Sequence, residues 1–191
     1  MDGTITELDD PVLIARAQSG DLAAFEEIVR RYQRPILRFC RGMLGRGPDA
    51  EDAVQDVMVT AWRRLPTLRS AEAASTWLYR IARHSCIDLL RKRQPDGGDP
   101  AEYEDRQTPS ESSRRPLAGP AEDTETQLAL AELWRFVATM PWAQREAWML
   151  REIHGLSYQE IAAITGEKLA TVRGRISRAR TTLAERMDPW K

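Results

Sequence analysis

Cysteine is scarce in this chain, where Cys40 and Cys86 are the only two. They lie far apart, each inside an apolar, helix-patterned stretch, so two buried thiols are expected rather than a disulfide frame. Histidine is as rare. His84 and Cys86 look like half of a metal site, but no second ligand pair follows at finger-like spacing, so no metal is expected. Aromatic residues make up 7% of the chain, and no alternating β-branched run occurs, which argues against a sheet protein. No apolar run approaches membrane-spanning length, so no membrane insertion is expected. Residues 1–11 carry Asp2, Glu7, Asp9 and Asp10 and lack both a basic head and an apolar stretch, so they do not read as a signal peptide. The cytoplasm follows by default. A phosphate loop is missing too, and neither His84 nor His154 has a nucleophile pattern nearby. No catalytic residue and no cofactor is therefore expected.

What is present is length enough for two small domains and a helical composition. The 191 residues are 42% hydrophobic and 30% charged. Each half is large enough for a modest core. The net charge of −1 conceals a segregation: residues 1–95 carry 15 basic and 13 acidic side chains, 96–123 carry 3 and 8, and 124–191 carry 10 and 8. The acidic middle, QPDGGDPAEYEDRQTPSESSRRPLAGPAED over 94–123, is rich in Pro, Gly and Ser and has few apolar groups to offset the entropy of ordering. It reads as a flexible linker, with domains at 1–95 and 124–191 and the linker at 96–123. Both flanks show helical periodicity, so the fold class is all-α. Asp10-Pro11, Gly20-Asp21, the glycines around Arg46, and Pro48-Asp49 punctuate helices near 11–19, 21–44, 48–65 and 75–93. In the second half, helices are expected near 124–139, 141–153, 157–165 and 169–187.

Residues 157–180, SYQEIAAITGEKLATVRGRISRAR, carry the strongest local pattern. Ser157 and Glu160 form a capping box, and Gly166 closes a short helix before a second one, as in a helix-turn-helix. On the second helix Val172, Ile176, Ala179 and Leu183 share one face, while Ala170, Arg173, Gly174, Ser177 and Arg178 lie on or near the other. That cationic face either reads a DNA major groove or is a solvated basic face. Gly174 favours the first, because it costs about 1 kcal/mol in a helix and is easier to explain where a backbone approaches DNA closely.

Two further stretches carry polar faces. In TWLYRIARHSCIDLLRKR, residues 76–93, a narrow stripe holds Trp77, Arg80, His84, Asp88 and Arg91, with Trp77 outside the main apolar arc. An indole beside cations suits unpaired bases, which stack on aromatic faces; a tryptophan covered by a neighbouring helix is the other reading. In DAEDAVQDVMVTAWRR, residues 49–64, Asp52, Gln55, Asp56, Val59 and Arg63 lie opposite Ala50, Ala53, Val54, Val57, Met58 and Ala61. An acidic face with an exposed valine suits a protein partner, and equally an ordinary solvated face.

These stretches in this order, with LIARAQSGDLAAFEEIVRRYQRPILRF ahead of them, resemble the extracytoplasmic-function (ECF) sigma factors over nearly the whole chain. The resemblance implies sigma domain two followed by sigma domain four. It implies promoter selection for core RNA polymerase as the function, with core polymerase, promoter DNA and an anti-sigma protein as partners. By the same resemblance Asp52, Gln55 and Asp56 dock on polymerase. Trp77, Arg80, Arg83, His84 and Arg91 open and read the minus-ten element, and Arg173, Gly174, Ser177 and Arg178 read the minus-thirty-five element. His84 departs from the asparagine usual there, and Glu167 from the usual apolar turn residue. No carboxy-terminal extension of the enzyme-like kind is expected at this length. A dimeric operator-binding regulator is the runner-up, but the first half resembles no sensing module.

Overall fold

The computed structural model describes residues 4–92 and 124–187, and the stretch read as a linker at 96–123 lies outside them. The helices are α1 (Asp10–Gln18), α2 (Leu22–Leu44), α3 (Pro48–Arg64) and α4 (Ala74–Lys92), then α5 (Thr124–Thr139), α6 (Trp142–Trp148), α7 (Tyr158–Thr165) and α8 (Leu169–Met187). No strand occurs among the described residues, and none of their helices is long and apolar enough to cross a membrane.

Caps set most of these boundaries. Asp21 accepts the Ala24 amide at 3.2 Å, and this bond, with the Arg16 guanidinium, holds its carboxyl below the ordinary value. Gly45 ends α2 at φ 88°, a backbone region where only glycine is unstrained. The cap of α1 is Asp9 rather than the expected Asp10. Asp10 has other work: it pairs with Arg31 at 2.7 Å and accepts the Tyr32 hydroxyl. Arg31 also donates to the Thr6 and Leu8 carbonyls, tying the start of the chain to α2.

α2 runs through Pro35, which lacks the donor for the Arg31 carbonyl and costs about 3 kcal/mol in a helix interior. Burial outweighs it. Ile36, Phe39, Cys40, Met43 and Leu44 all follow the proline and are all buried, and Ile36 with Phe39 alone contributes about 3–6 kcal/mol. α3 turns Ala50, Ala53, Val54, Val57 and Ala61 inward, small residues that let α2 and α4 approach closely. Cys40 and Cys86 meet in this core as free thiols.

In the second domain the helix expected over 141–153 divides. α6 gives way to a π-helical turn, Met149–Ile153, whose wider spacing leaves both Met149 and Leu150 wholly buried. Val172, Ile176, Ala179 and Leu183 of α8 are buried on the expected face. The two domains share one core. Met149 packs on the backbone of α2, so close that a Cβ on Gly42 would lie 2.1 Å from its Cε.

Candidate nucleic-acid and protein interfaces

The helix-turn-helix is built as its sequence indicates. The Glu160 amide donates to Ser157 Oγ at 3.2 Å and the Ser157 amide to Glu160 Oε2 at 2.7 Å, and Gly166 turns at φ 76°. Arg173, Ser177 and Arg178 are exposed, with half-buried Gly174 between them. A Cβ on Gly174 would meet only the Arg178 guanidinium, at 3.4 Å, so the approach from outside is open. The other arginines of α8 are engaged within the domain: Arg175 pairs with Glu167 at 3.0 Å, Arg180 pairs with Glu152 at 2.6 Å, and Arg186 lies 5.7 Å from the centroid of the Phe136 ring. The first pair accounts for the acid at the turn, where Glu167 anchors α8 instead of filling an apolar niche. Arg173 and Arg178 pair with no described carboxylate. Arg173 is steadied by the Tyr158 ring, 5.7 Å from its centroid.

On α4, Arg80, His84, Asp88 and Arg91 are exposed along one stripe, as expected. Trp77 is half-buried and packs partly on the core, so it falls between the two readings of the sequence. It lines a cavity of about 440 Å³ together with Thr60, Arg64, Thr67, Arg80 and His84, a size usual for small-molecule pockets. Arg83 lies elsewhere. Its side chain is 12% exposed and its Nε is 2.9 Å from Glu146 Oε1, inside the seam between the domains.

α3 presents Asp52, Gln55 and Asp56 to solvent, and neither aspartate pairs with a described residue. Val59 is 48% exposed, and Trp62 beside it 40%, its ring against Phe25 at 4.8 Å. Trp62 was missed in the sequence, although it stands seven residues after Gln55 and so on the same helical face. Among the described residues no group of His, Cys, Asp and Glu side chains could hold a metal ion.

Residues 28–95 match Sigma-70 region 2, and residues 130–183 match Sigma-70, region 4. A helical domain with an acidic face and a tryptophan beside a cationic stripe, followed by a helix-turn-helix, thus defines a transcription initiation factor of the sigma-70 type. The chain is 34% identical to the ECF RNA polymerase sigma-E factor of Escherichia coli (strain K12) over 96% of both, and 30% identical to the RNA polymerase sigma-H factor of Pseudomonas aeruginosa over 97% of both. Two solved structures share the fold. CnrH in complex with the cytosolic domain of CnrY gives a TM-score of 0.70 at 28% identity, covering 94% of this chain and 97% of that one. The sigma factor RpoE in complex with the anti-sigma factor NepR from Bartonella quintana gives 0.67 at 26%, covering 84% and 94%. The chain belongs to the ECF sigma factors, which direct core RNA polymerase to specific promoters.

Proposed function

We propose the following division of labour. Residues 1–95 dock on core polymerase through Asp52, Gln55 and Asp56, with Val59 and Trp62 as apolar neighbours. Trp77, Arg80, His84 and Arg91 meet the opened minus-ten element, joined by Arg83 when it is free. Residues 124–191 read the minus-thirty-five duplex through Arg173, Gly174, Ser177 and Arg178, and 96–123 link the two. The factor works in the cytoplasm, where chromosome and polymerase are, without catalytic chemistry of its own. An anti-sigma protein controls it, a reading supported by the similar fold of RpoE, solved in complex with the anti-sigma factor NepR.

The observation that carries the reading is the contrast among the arginines of α8. Arg175 and Arg180 are spent on Glu167 and Glu152, whereas Arg173 and Arg178 face outward beside Gly174 with no described carboxylate partner. Such a cation reads a guanine or holds a phosphate. Replacing either with Ala is expected to weaken duplex binding by about 1–3 kcal/mol if it reads a base, and to reduce the salt slope if it holds a phosphate. Anisotropy titrations at several salt concentrations, on duplexes recovered from genomic fragments transcribed with core enzyme, check this. Unchanged affinity and salt dependence in the double variant would remove α8 as the reading helix.

A further inference from the structure

The connection from α3 to α4, residues 65–73, supplies part of the wall of the cavity that Trp77 lines, and it has little apolar surface to hold itself with. Only Leu65 in it is buried; Leu68, Ala71 and Ala73 are half-buried, and the other five residues are exposed. The connection is gripped from outside instead. One side-chain amide, that of Gln18 at the end of α1, donates to the Leu65 carbonyl at 2.9 Å and to the Leu68 carbonyl at 2.8 Å. These carbonyls bracket Pro66 and Thr67, and the Leu68 amide closes the same turn onto the Leu65 carbonyl at 3.1 Å. Thr67 Oγ1 donates to the Arg64 carbonyl at 2.7 Å, so the two residues that line the cavity from this turn are tied to each other and to the segment that Gln18 holds.

Gln18 is not spent on its own helix. Ser19 Oγ and the Gly20 amide already reach the last carbonyls of α1, those of Ala15 and Ala17. The far end of the connection is braced from the same side. Asp10 of α1 accepts the Tyr32 hydroxyl, and Ser75 in the first turn of α4 hydrogen-bonds that phenol.

We propose that Gln18 is a positioning residue for minus-ten readout: its amide fixes the Leu65–Leu68 turn, and with it the place of Arg64 and Thr67 beside Trp77. Gln18 does not itself line the cavity, so it acts through the turn. Both hydrogens of a carboxamide are used, which sets the orientation of the turn as well as its distance from α1. A site discriminates between bases when a mismatched one leaves a fixed polar group unpaired. A wall free to shift re-pairs with whatever enters and loses that power.

The inference rests on the minus-ten reading above, and the test separates the two. Gln18→Met keeps the length of the side chain and removes its donors, whereas Gln18→Glu keeps the shape and sets a carboxylate against two carbonyls. Each full chain is combined with core polymerase on a promoter recovered by transcribing genomic fragments. Open-complex yield is then measured with every minus-ten position changed in turn to the other three bases. Losing both hydrogen bonds is expected to narrow the preference for the native base about tenfold where the strand meets the turn, with a larger loss in Gln18→Glu. The Leu68 amide should exchange faster, while affinity for the minus-thirty-five duplex and capture by core polymerase stay at wild-type values. A uniform fall at every position, or an unaltered profile in both variants while Trp77→Ala changes it, would overturn the positioning role and leave the minus-ten reading standing. An unaltered profile in Trp77→Ala and Arg80→Ala as well would remove the minus-ten reading, and the role of Gln18 with it.

Discussion

Trp77 lines the cavity between α3 and α4, yet part of its ring packs on the core, so truncation removes two things at once. Trp77→Ala is expected to cost less stability than the about 3–5 kcal/mol of a fully packed aromatic site. It should also weaken strand opening by about 1–3 kcal/mol, the worth of one base stacked on an aromatic ring. Thermal unfolding measures the first and permanganate footprinting of promoter thymines the second; normal opening in a folded Ala variant contradicts the stacking role. His154 offers a different handle. Burial, helped by the charge of Arg38, pushes its pKa down to about 4 from the ordinary 6.5, so it is neutral where it meets Tyr79. A depressed histidine pKa withholds a proton that the freed imidazole binds. Its contribution is present above pH 6.5 and is lost as pH falls through about 4, a change of up to about 3 kcal/mol. Chemical denaturation of the wild type and of His154→Phe across that window should show the variant's stability falling less steeply on the acid side.

At the scale of the element, α3 is amphipathic in an uncommon way: its outer face ends in exposed Val59 and Trp62 below the acids. Acids steer and apolar groups hold, a combination that fits a protein partner better than solvent. Asp52→Arg with Asp56→Arg should abolish capture by core polymerase in a pull-down while circular dichroism stays unchanged, and Trp62→Ala should speed dissociation; undiminished capture by the charge-reversed variant would discard this face. Helices such as α3 were legible in the sequence because caps and glycines are local signals. Pro48, Asp21, Ser157 and Gly166 act within a few residues of themselves. The π turn after α6 was not legible, because what shapes it is the place that Met149 and Leu150 take in a shared core. Asp10 shows the same limit on a smaller scale: its pattern marks a helix start, and only tertiary contact with Arg31 and Tyr32 shifts the cap by one residue.

For the whole molecule, helical periodicity marks which face of each helix is buried but not which element buries it. The resemblance put Arg83 in the minus-ten segment and nothing local in the sequence marks Arg145 or Glu146, and all three are seam residues only because the second domain meets the first. The outward faces of α3 and α8 escaped that difficulty because nothing described covers them. The cysteines of the core have a use of their own. Cys40 and Cys86 are wholly shielded, and a hydrogen bond that the Cys86 thiol makes to Cys40, together with burial, pushes that thiol well above its ordinary value. Thiolate is the reactive form, so an aromatic disulfide reagent finds no target in the native chain. Each labelling event then marks a moment when the interior has opened, and at saturating reagent the colour develops at the rate of that opening. The protein thus carries its own stopwatch for kinetic stability, with no dye to attach and no residue to change.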